Sequence, residues 1–386
     1  VDDAVVDVAA AGLEEQLVGI CRRILGQSGG DAAWAAAEIA DMDVVQVSGG
    51  ITNMLYRVAP KPGAQLNGKA RPVLARVFGQ AGDVVCDRRR ENIVVAKLSK
   101  IGFGPKLLGI FGNGRLEEWL EGRRPLEPLE MLQVEPLDFQ TMTAKRLAEM
   151  HKRCLLPGDE AGIWVQLREW VALGKQVSFA RDAEKAAKLA KLNPFPRFEE
   201  HLNELEAMLP SARTDAGQML LEGVTASGRR ARELLFEEKF CHLDLLSGNI
   251  MYSEVAGDVE FIDFEYAMMS CVGLDIANHF NAVPESCLIL ENTFDVERYY
   301  PSQALQRRWV TAYFTARDID LDEDVVDEML KVLLDFTMLA ELRWVIWSVV
   351  QAGYSPVDFD YLDYGIMRFE QGYMKYRTWR EGAGRP

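Results

Sequence analysis

One short segment of the 386-residue sequence carries residue types that suit phosphoryl transfer. It reads CHLDLLSGN and is followed, after a short apolar stretch, by FIDFE. Asp244 offers a carboxylate that can accept the proton of an attacking hydroxyl group, and Asn249 and Asp263 offer the oxygen ligands that magnesium prefers. We therefore predict that Asp244 is the catalytic base and that Asn249 and Asp263 hold Mg²⁺. The alternative is a chance H-x-D-x-x-x-x-N pattern in a loop between core strands.

A glycine-containing turn in the N-terminal half is a candidate phosphate site. The turn SGGITN lies between two strand-like runs, VVQV and MLYRV. Glycines let backbone N–H groups approach a phosphate closely. An ordinary hairpin turn is the alternative. We predict that four residues of this turn contact the nucleotide: Gly49, Gly50, Thr52 and Asn53.

Arg76, on the next strand-like run, is a second candidate for phosphate binding. Protein kinases pair a lysine on a strand with a glutamate on the following helix. Here Arg76 and Glu91 have the corresponding order along the chain. We predict that Arg76 binds phosphate and that Glu91 holds its charge in place, with a plain surface cation as the alternative.

The elements that must position these residues change character along the chain. Strand, glycine turn, strand, strand, helix, strand and strand follow one another up to about residue 120, which predicts a small sheet with one helix against it. From about residue 123 the pattern is mainly helical, except for the short apolar segment 240–264 around Asp244. We therefore predict an α+β fold with domains 1–120 and 121–386.

Composition excludes some classes of protein. The net charge of -16 argues against a nucleic-acid partner and is compatible with a small cationic substrate. The six cysteines are scattered without metal-ligand spacing, which favours reduced thiols in a cytoplasmic protein. The most apolar stretch, residues 332–352, contains Asp335, Glu341 and Arg343. We predict that it is a core helix and that the chain has no membrane span.

These residues resemble the choline/ethanolamine kinase family over roughly residues 44–380. The resemblance rests on blocks in the same order: GGITNMLYRV, VLARVFG, FCHLDLLSGNIMY, FIDFEYA, DIANHFN and WVIWSVVQAGYSPVDFDYLDYGIMRFE. It implies a two-lobed, eukaryotic-protein-kinase-like fold, with a small antiparallel-sheet N-terminal lobe and a large, mainly helical C-terminal lobe. It also implies that ATP binds in the cleft, with Glu118, Trp119 and Leu120 of a hinge strand at the adenine.

The resemblance further places an aromatic set around the ammonium group of the substrate. Trp344 and Trp347 are three positions apart and share one helix face, and Tyr364 follows beyond a turn. Aromatic rings suit an ammonium ion, whereas tryptophans at helical spacing that pack the core are the alternative. Glu265 is expected to face the substrate or support the metal site. Three positions depart from the family pattern: Leu243, Ser270 and Ala282.

The resemblance implies ATP-dependent phosphorylation of ethanolamine, choline or both, with a homodimer expected by analogy alone. A primary ammonium requires hydrogen-bond acceptors, whereas a trimethylammonium requires apolar and aromatic walls. The residues Leu245 and Leu246 and the stretch NHFN resemble ethanolamine kinases more than choline kinases, and this resemblance favours ethanolamine. Two alternatives stay open. One is an aminoglycoside-type phosphotransferase, and the other is a nucleotide-binding pseudokinase, which only Leu243 favours.

Overall fold

The chain forms two compact units, Val1–Arg123 and Arg124–Pro386. The sequence analysis had placed this division after residue 120. The computed structural model describes the following residues: 2–9, 11–47, 53–64, 66, 68, 70–79, 88–154, 162–192, 197–209, 224–355 and 357–383.

The first unit is built on a five-stranded antiparallel sheet with the strand order β1-β2-β3-β5-β4. Its strands are β1 (Met42–Val47), β2 (Asn53–Pro60), β3 (Val73–Phe78), β4 (Leu107–Phe111) and β5 (Gly114–Glu118). Strand β3 buries Val73, Ala75 and Val77, because alternate side chains of a strand point to the same face. Helix α3 (Arg88–Lys100) lies between β3 and β4 in the chain, in the predicted order of elements.

Two N-terminal helices complete the core of the first unit. Helices α1 (Leu13–Cys21) and α2 (Ala32–Ala35) contribute Leu17 and Trp34 to the apolar cluster that covers the sheet. The segment before α1 is attached at the β4–β5 turn. There the side-chain amide of Asn113 accepts a hydrogen bond from Val6 N and donates one to Val6 O, both at 2.8 Å.

The second unit is mainly helical. Its helices are α4 (Phe139–Arg153), α5 (Ile163–Gly174), α6 (Ala183–Leu192), α7 (Arg197–Met208), α8 (Ala226–Leu235), α9 (Val272–Glu291), α10 (Val296–Tyr299), α11 (Gln303–Thr315), α12 (Glu323–Tyr354), α13 (Tyr361–Met367) and α14 (Met374–Thr378). The short strand β6 (Arg123–Pro125) spans the boundary between the two units. The second unit also contains four short strands: β7 (Glu238–Cys241), β8 (Ile250–Ser253), β9 (Asp258–Phe261) and β10 (Met268–Cys271). Strands β8 and β9 form an antiparallel hairpin, and β7 pairs with β10.

Helix α12 is the centre of the second unit. Between residues 335 and 351 every side chain of this 32-residue helix is buried, including the charged Glu341 and Arg343. Helices α5, α8, α9 and α13 surround it. The predicted core helix over residues 332–352 is thereby confirmed. Among the helices of the described residues, none combines the length and apolarity needed to cross a membrane.

Helix α13 approaches α12 closely because Gly365 has no side chain. A Cβ atom at this position would overlap Ser348 Oγ of α12. The sequence analysis did not predict α13, nor did it predict α9, which carries Pro284 in its interior. Proline removes one helical hydrogen bond and argues against a helix. The burial of nearly every α9 side chain from Val272 to Leu288 outweighs that cost.

Candidate active site

The loop between β7 and β8 brings the three predicted residues together. Asn249 Nδ2 donates to the backbone oxygen of Asp244 at 2.8 Å and to Asp244 Oδ2 at 3.2 Å. The backbone oxygen of Asn249 in turn accepts from Ile262 N at 3.1 Å, which places Asp263 beside the loop. Because Nδ2 makes both of these bonds, Oδ1 is the side-chain atom that Asn249 would offer to a cation.

Asp263 is held in an uncommon backbone conformation. Its φ is 64°, in the left-handed region that costs a non-glycine residue roughly 1–3 kcal/mol and that clusters at functional sites. Carboxylate oxygens of Asp263 and Glu265 lie within 4.8 Å of one another. Amide and carboxylate oxygens from Asn249, Asp263 and Glu265 form a donor set suited to a hard cation, so the residues present fit Mg²⁺.

The loop is anchored on a buried carboxylate at the start of α9. Asp275 accepts hydrogen bonds from His242 N at 2.8 Å and from Leu243 N at 2.7 Å. It also lies 3.0 Å from His151 Nε2, and the other ring nitrogen of His151 lies 2.6 Å from the Tyr313 hydroxyl. Burial acts to raise the pKa of Asp275, but the hydrogen bond and charge of His151 and the N–H of Leu243 outweigh it, so this pKa lies below its ordinary value.

Two buried histidines support the same loop. His242 Nε2 donates to the Ile262 carbonyl at 2.9 Å, and its Nδ1 accepts from Asp244 N at 3.3 Å. His279 Nδ1 lies 3.0 Å from the Leu245 carbonyl. Burial lowers the pKa of His242 and lowers that of His279 to about 4, so both rings are neutral at physiological pH. Their hydrogen bonds to backbone assign them a structural role.

Leu243, the first departure from the family pattern, also has a left-handed backbone, with φ of 59°. Asparagine tolerates this region better than leucine does, so the departure raises the conformational energy of the loop. Hydrogen bonds compensate: besides its N–H bond to Asp275, the Leu243 carbonyl accepts from Arg343 Nη1 at 2.9 Å. The other two departures, Ser270 and Ala282, are both buried.

The charge around Asp244 is predominantly negative. Burial raises the pKa of Asp244 well above its ordinary value, and neighbouring carboxylates raise it further: Glu285, Asp263 and Glu265. The guanidinium group of Arg343 opposes them. This environment disfavours a bare carboxylate at Asp244 and favours the approach of a cation.

In the first unit, Arg76 belongs to a buried network of ion pairs. Arg76 Nε lies 3.4 Å from Glu117 Oε1. Arg115 contacts Glu117 through Nε and lies 2.8 Å from Glu91 through Nη1. Glu91 therefore holds Arg115, and Glu117 links that pair to Arg76. The sequence analysis missed Arg115, although strand pairing could have indicated it, since Arg76 and Arg115 are register partners on β3 and β5.

The remaining nucleotide candidates are distributed along the same sheet. Asn53 is buried at the start of β2. Glu118, Trp119 and Leu120 are half-buried at and after the end of β5, and the Arg57 guanidinium lies 5.5 Å from the centre of the Trp119 ring. Gly49, Gly50 and Thr52 lie outside the described residues. The predicted nucleotide contacts of all these residues stay predictions.

Trp344, Trp347 and Tyr364 form one aromatic cluster in the second unit. Ring centres are 5.5 Å apart for Trp344 and Trp347 and 6.1 Å apart for Trp347 and Tyr364. Trp344 Nε1 donates to Asn278 Oδ1 at 2.8 Å, and Trp347 Nε1 donates to the Tyr266 hydroxyl at 2.9 Å. The three rings are at most 5% exposed.

Two guanidinium groups of the chain already lie over this cluster. Arg343 Cζ is 4.6 Å from the centre of the Trp344 ring. Arg368 Cζ is 5.9 Å from the Trp344 ring and 5.3 Å from the Tyr364 ring. The sequence analysis missed these arginines as parts of the site. A cation within an apolar helix, as at position 343, is the signal that could have indicated one of them, because buried charges require partners.

Comparisons with known proteins show the family of the chain. A family model described as choline/ethanolamine kinase matches residues 44–373. The chain is 31% identical over 342 residues to probable ethanolamine kinase A of Dictyostelium discoideum, covering 86% of this chain and 85% of that relative. It is 28% identical over 365 residues to probable choline kinase 1 of Arabidopsis thaliana, covering 93% of each protein.

A solved structure of a Plasmodium vivax ethanolamine kinase has the same fold. Its TM-score is 0.71 at 23% identity, and the match covers 97% of this chain and 90% of that chain. The predicted α+β, protein-kinase-like fold, with a small antiparallel sheet and a mainly helical remainder, is confirmed. On the match of its family model, which spans most of the sequence, the chain belongs to the choline/ethanolamine kinase family.

Proposed function

We propose that the chain transfers the γ-phosphoryl group of ATP to the hydroxyl group of ethanolamine or choline. The relatives named as ethanolamine and choline kinases support this substrate class. In the proposed reaction the hydroxyl oxygen bonds to the γ-phosphorus and its proton passes to the Asp244 carboxylate, while the bond between the γ-phosphorus and ADP breaks. The products are ADP and phosphoethanolamine or phosphocholine.

The observation that carries this proposal is the convergence of Asp244, Asn249 and Asp263 on one loop and one hairpin. Asn249 and Asp263 would hold Mg²⁺, which when bound supplies positive charge to the phosphate oxygens. The Asn249 amide also orients the base, since it donates to Asp244 Oδ2. The carboxylates around Asp244 favour a substrate that carries an ammonium group.

Family membership favours an amino-alcohol kinase over an aminoglycoside-type phosphotransferase. The surroundings of Leu243 favour an active enzyme over a pseudokinase. Both backbone polar groups of Leu243 are hydrogen-bonded and its side chain is fully buried. The departure at this position therefore leaves Asp244 and the metal ligands in place.

The test is a direct assay of the purified chain with ATP and MgCl₂. We expect ADP and a phosphorylated amino alcohol from ethanolamine or choline, detected by mass spectrometry, and no product when EDTA removes the metal. An aminoglycoside is assayed in parallel as the substrate of the alternative, aminoglycoside-type phosphotransferase. Nucleotide binding without turnover of either amino alcohol would support the pseudokinase alternative instead.

Arg76→Ala tests the nucleotide half of the proposal. Hydrogen bonds to charged groups contribute about 1.5–3 kcal/mol, so we expect KM for ATP to rise about 10-fold to 100-fold while KM for the amino alcohol changes little. Because Arg76 also pairs with the buried Glu117, the variant will be less stable. Arg76→Lys keeps the positive charge and is expected to recover part of the ATP affinity. An unchanged KM for ATP in a folded variant would contradict the role.

A further inference from the structure

One face of α9 borders the aromatic cluster. Asn278, Ala282 and Glu285 are spaced by four and three positions and therefore share this face. Asn278 accepts from Trp344, as described above, and Glu285 Oε1 accepts from the Tyr364 hydroxyl at 2.6 Å. Ala282, between them, adds only a methyl group. The face thus presents one carboxylate to the cluster, at its Tyr364 end.

The same helix contacts the loop that carries Asp244. Ser286, next to Glu285, has its Oγ atom 3.4 Å from Ser247 Oγ. His279 holds the Leu245 carbonyl of that loop. Glu285 therefore lies on the part of α9 that borders both the aromatic cluster and the loop of the proposed base. This is where the ammonium end of an amino alcohol would be found if its hydroxyl faced Asp244.

Glu285 shares its arginine partner with a second carboxylate. Arg368 lies 2.9 Å from Glu285 Oε1, but it also makes two hydrogen bonds to the fully buried Glu341, at 2.7 and 3.0 Å. Among the described residues, the hydrogen bond from Tyr364 goes to Glu285 Oε1, and no hydrogen bond reaches Oε2. The side chain remains 10% exposed, so Oε2 can still accept from a ligand.

Arginine side chains of the protein already lie over some rings of the aromatic cluster, so fewer ring faces remain for a substrate cation. Arg343 and Arg368 lie over Trp344, and Arg368 also lies over Tyr364. Within the described part of the chain, no such cation lies over Trp347. A trimethylammonium group depends on several aromatic walls and has no N–H donor, whereas a primary ammonium has three donors and requires acceptors. The described geometry therefore suits a primary ammonium.

We propose that Glu285 is a specificity-determining residue, whose Oε2 atom accepts a hydrogen bond from the substrate ammonium group and thereby selects ethanolamine over choline. This inference rests on the proposed kinase function and adds a substrate preference to it. No role in proton transfer is assigned to Glu285. Its effect is on binding and on the choice between a primary and a quaternary ammonium.

The experiment compares ethanolamine and choline in Glu285→Gln, which keeps the length of the side chain and an acceptor for Tyr364. Loss of a charge-assisted hydrogen bond predicts that kcat/KM for ethanolamine falls about 10-fold to 100-fold, mainly through KM. Choline, which donates no such bond, is expected to lose about 3-fold or less from the weaker Coulomb attraction. Glu285→Asp keeps the charge but shortens the side chain. Its ethanolamine-to-choline ratio of kcat/KM should lie between those of the wild type and Glu285→Gln.

Asp335→Asn is the matched control, because it removes another buried carboxylate that pairs with an arginine, Arg380, and leaves Glu285, Glu341 and Arg368 intact. We expect it to lower the thermal midpoint without changing the ethanolamine-to-choline ratio of kcat/KM. Equal losses for both substrates in Glu285→Gln, or a wild-type preference for choline, would overturn the inference and leave the kinase function standing. If the wild-type protein phosphorylates neither substrate, the proposed function itself fails. If Glu285→Gln does not fold, the ratio in Glu285→Asp decides.

Discussion

Asp244→Ala is expected to reduce kcat by about 10²–10⁴-fold, the contribution of a well-positioned general base. The substitution removes the proton acceptor and also the oxygen that accepts from Asn249 Nδ2. Nucleotide binding should persist, because Arg76 and its partners are unchanged. The measurement is single-turnover phosphorylation at saturating ATP, with nucleotide affinity determined by calorimetry.

Glu254→Gln is the control for this loss. Glu254 is an exposed carboxylate in the turn after β8. Removing it changes the net charge by the same amount at a distance from the loop, so we expect a rate within a factor of about 2 of the wild type, as for a surface substitution. If both variants lost the same fraction of activity, the effect would be one of overall charge, and Asp244 would have no role as a base.

Asp275→Ala is expected to destabilise the protein by about 3–5 kcal/mol, as when one partner of a buried charged cluster is removed. The variant leaves the N–H groups of His242 and Leu243 buried without their acceptor, and His151 without its carboxylate. Urea unfolding measures the loss. Asp318→Asn is the control, because Asp318 is exposed and its surface pair with Lys152 contributes little to stability.

The pH dependence of stability gives a second test of Asp275. The pKa of its carboxyl group is lower in the folded protein than in the unfolded chain. Its stabilising contribution is therefore complete above the unfolded pKa of about 4 and is lost as the pH falls through the folded pKa. The difference in unfolding free energy between wild type and Asp275→Ala should shrink below about pH 4. If this difference in unfolding free energy stayed constant down to pH 2, the stabilisation would not come from the ionised carboxylate of Asp275.

Local spacing was enough to predict the loop of the proposed base. Asp244 and Asn249 are five positions apart in one turn, and Asp263 follows on the next hairpin, so short-range geometry brings them together. The strands and α3 were predictable for a similar reason, since alternation and helical spacing are local patterns. These parts depend little on how distant segments pack.

The ion pairs could not be predicted in the same way. Arg368 and Glu285 are far apart in the sequence and meet only because α9 and α13 pack on α12. Arg115 and Glu91 meet because the sheet brings β5 against α3. Periodicity indicates that a charge is on a buried face but does not identify its partner. The same limit applies to the aromatic cluster, where the sequence predicted the rings and not the guanidinium groups over them.

The close packing of α13 on α12 at Gly365 makes the geometry of the site depend on a residue that has no side-chain functional group. Position 365 follows Tyr364 directly, and a side chain there would require Ser348 Oγ or α13 to move, which would disturb the packing beside the Tyr364–Glu285 hydrogen bond. Selection for catalysis would therefore favour glycine at codon 365, although this residue carries no group that touches the substrate. In a library built to change substrate choice, keeping this codon fixed would preserve the packing beside Tyr364.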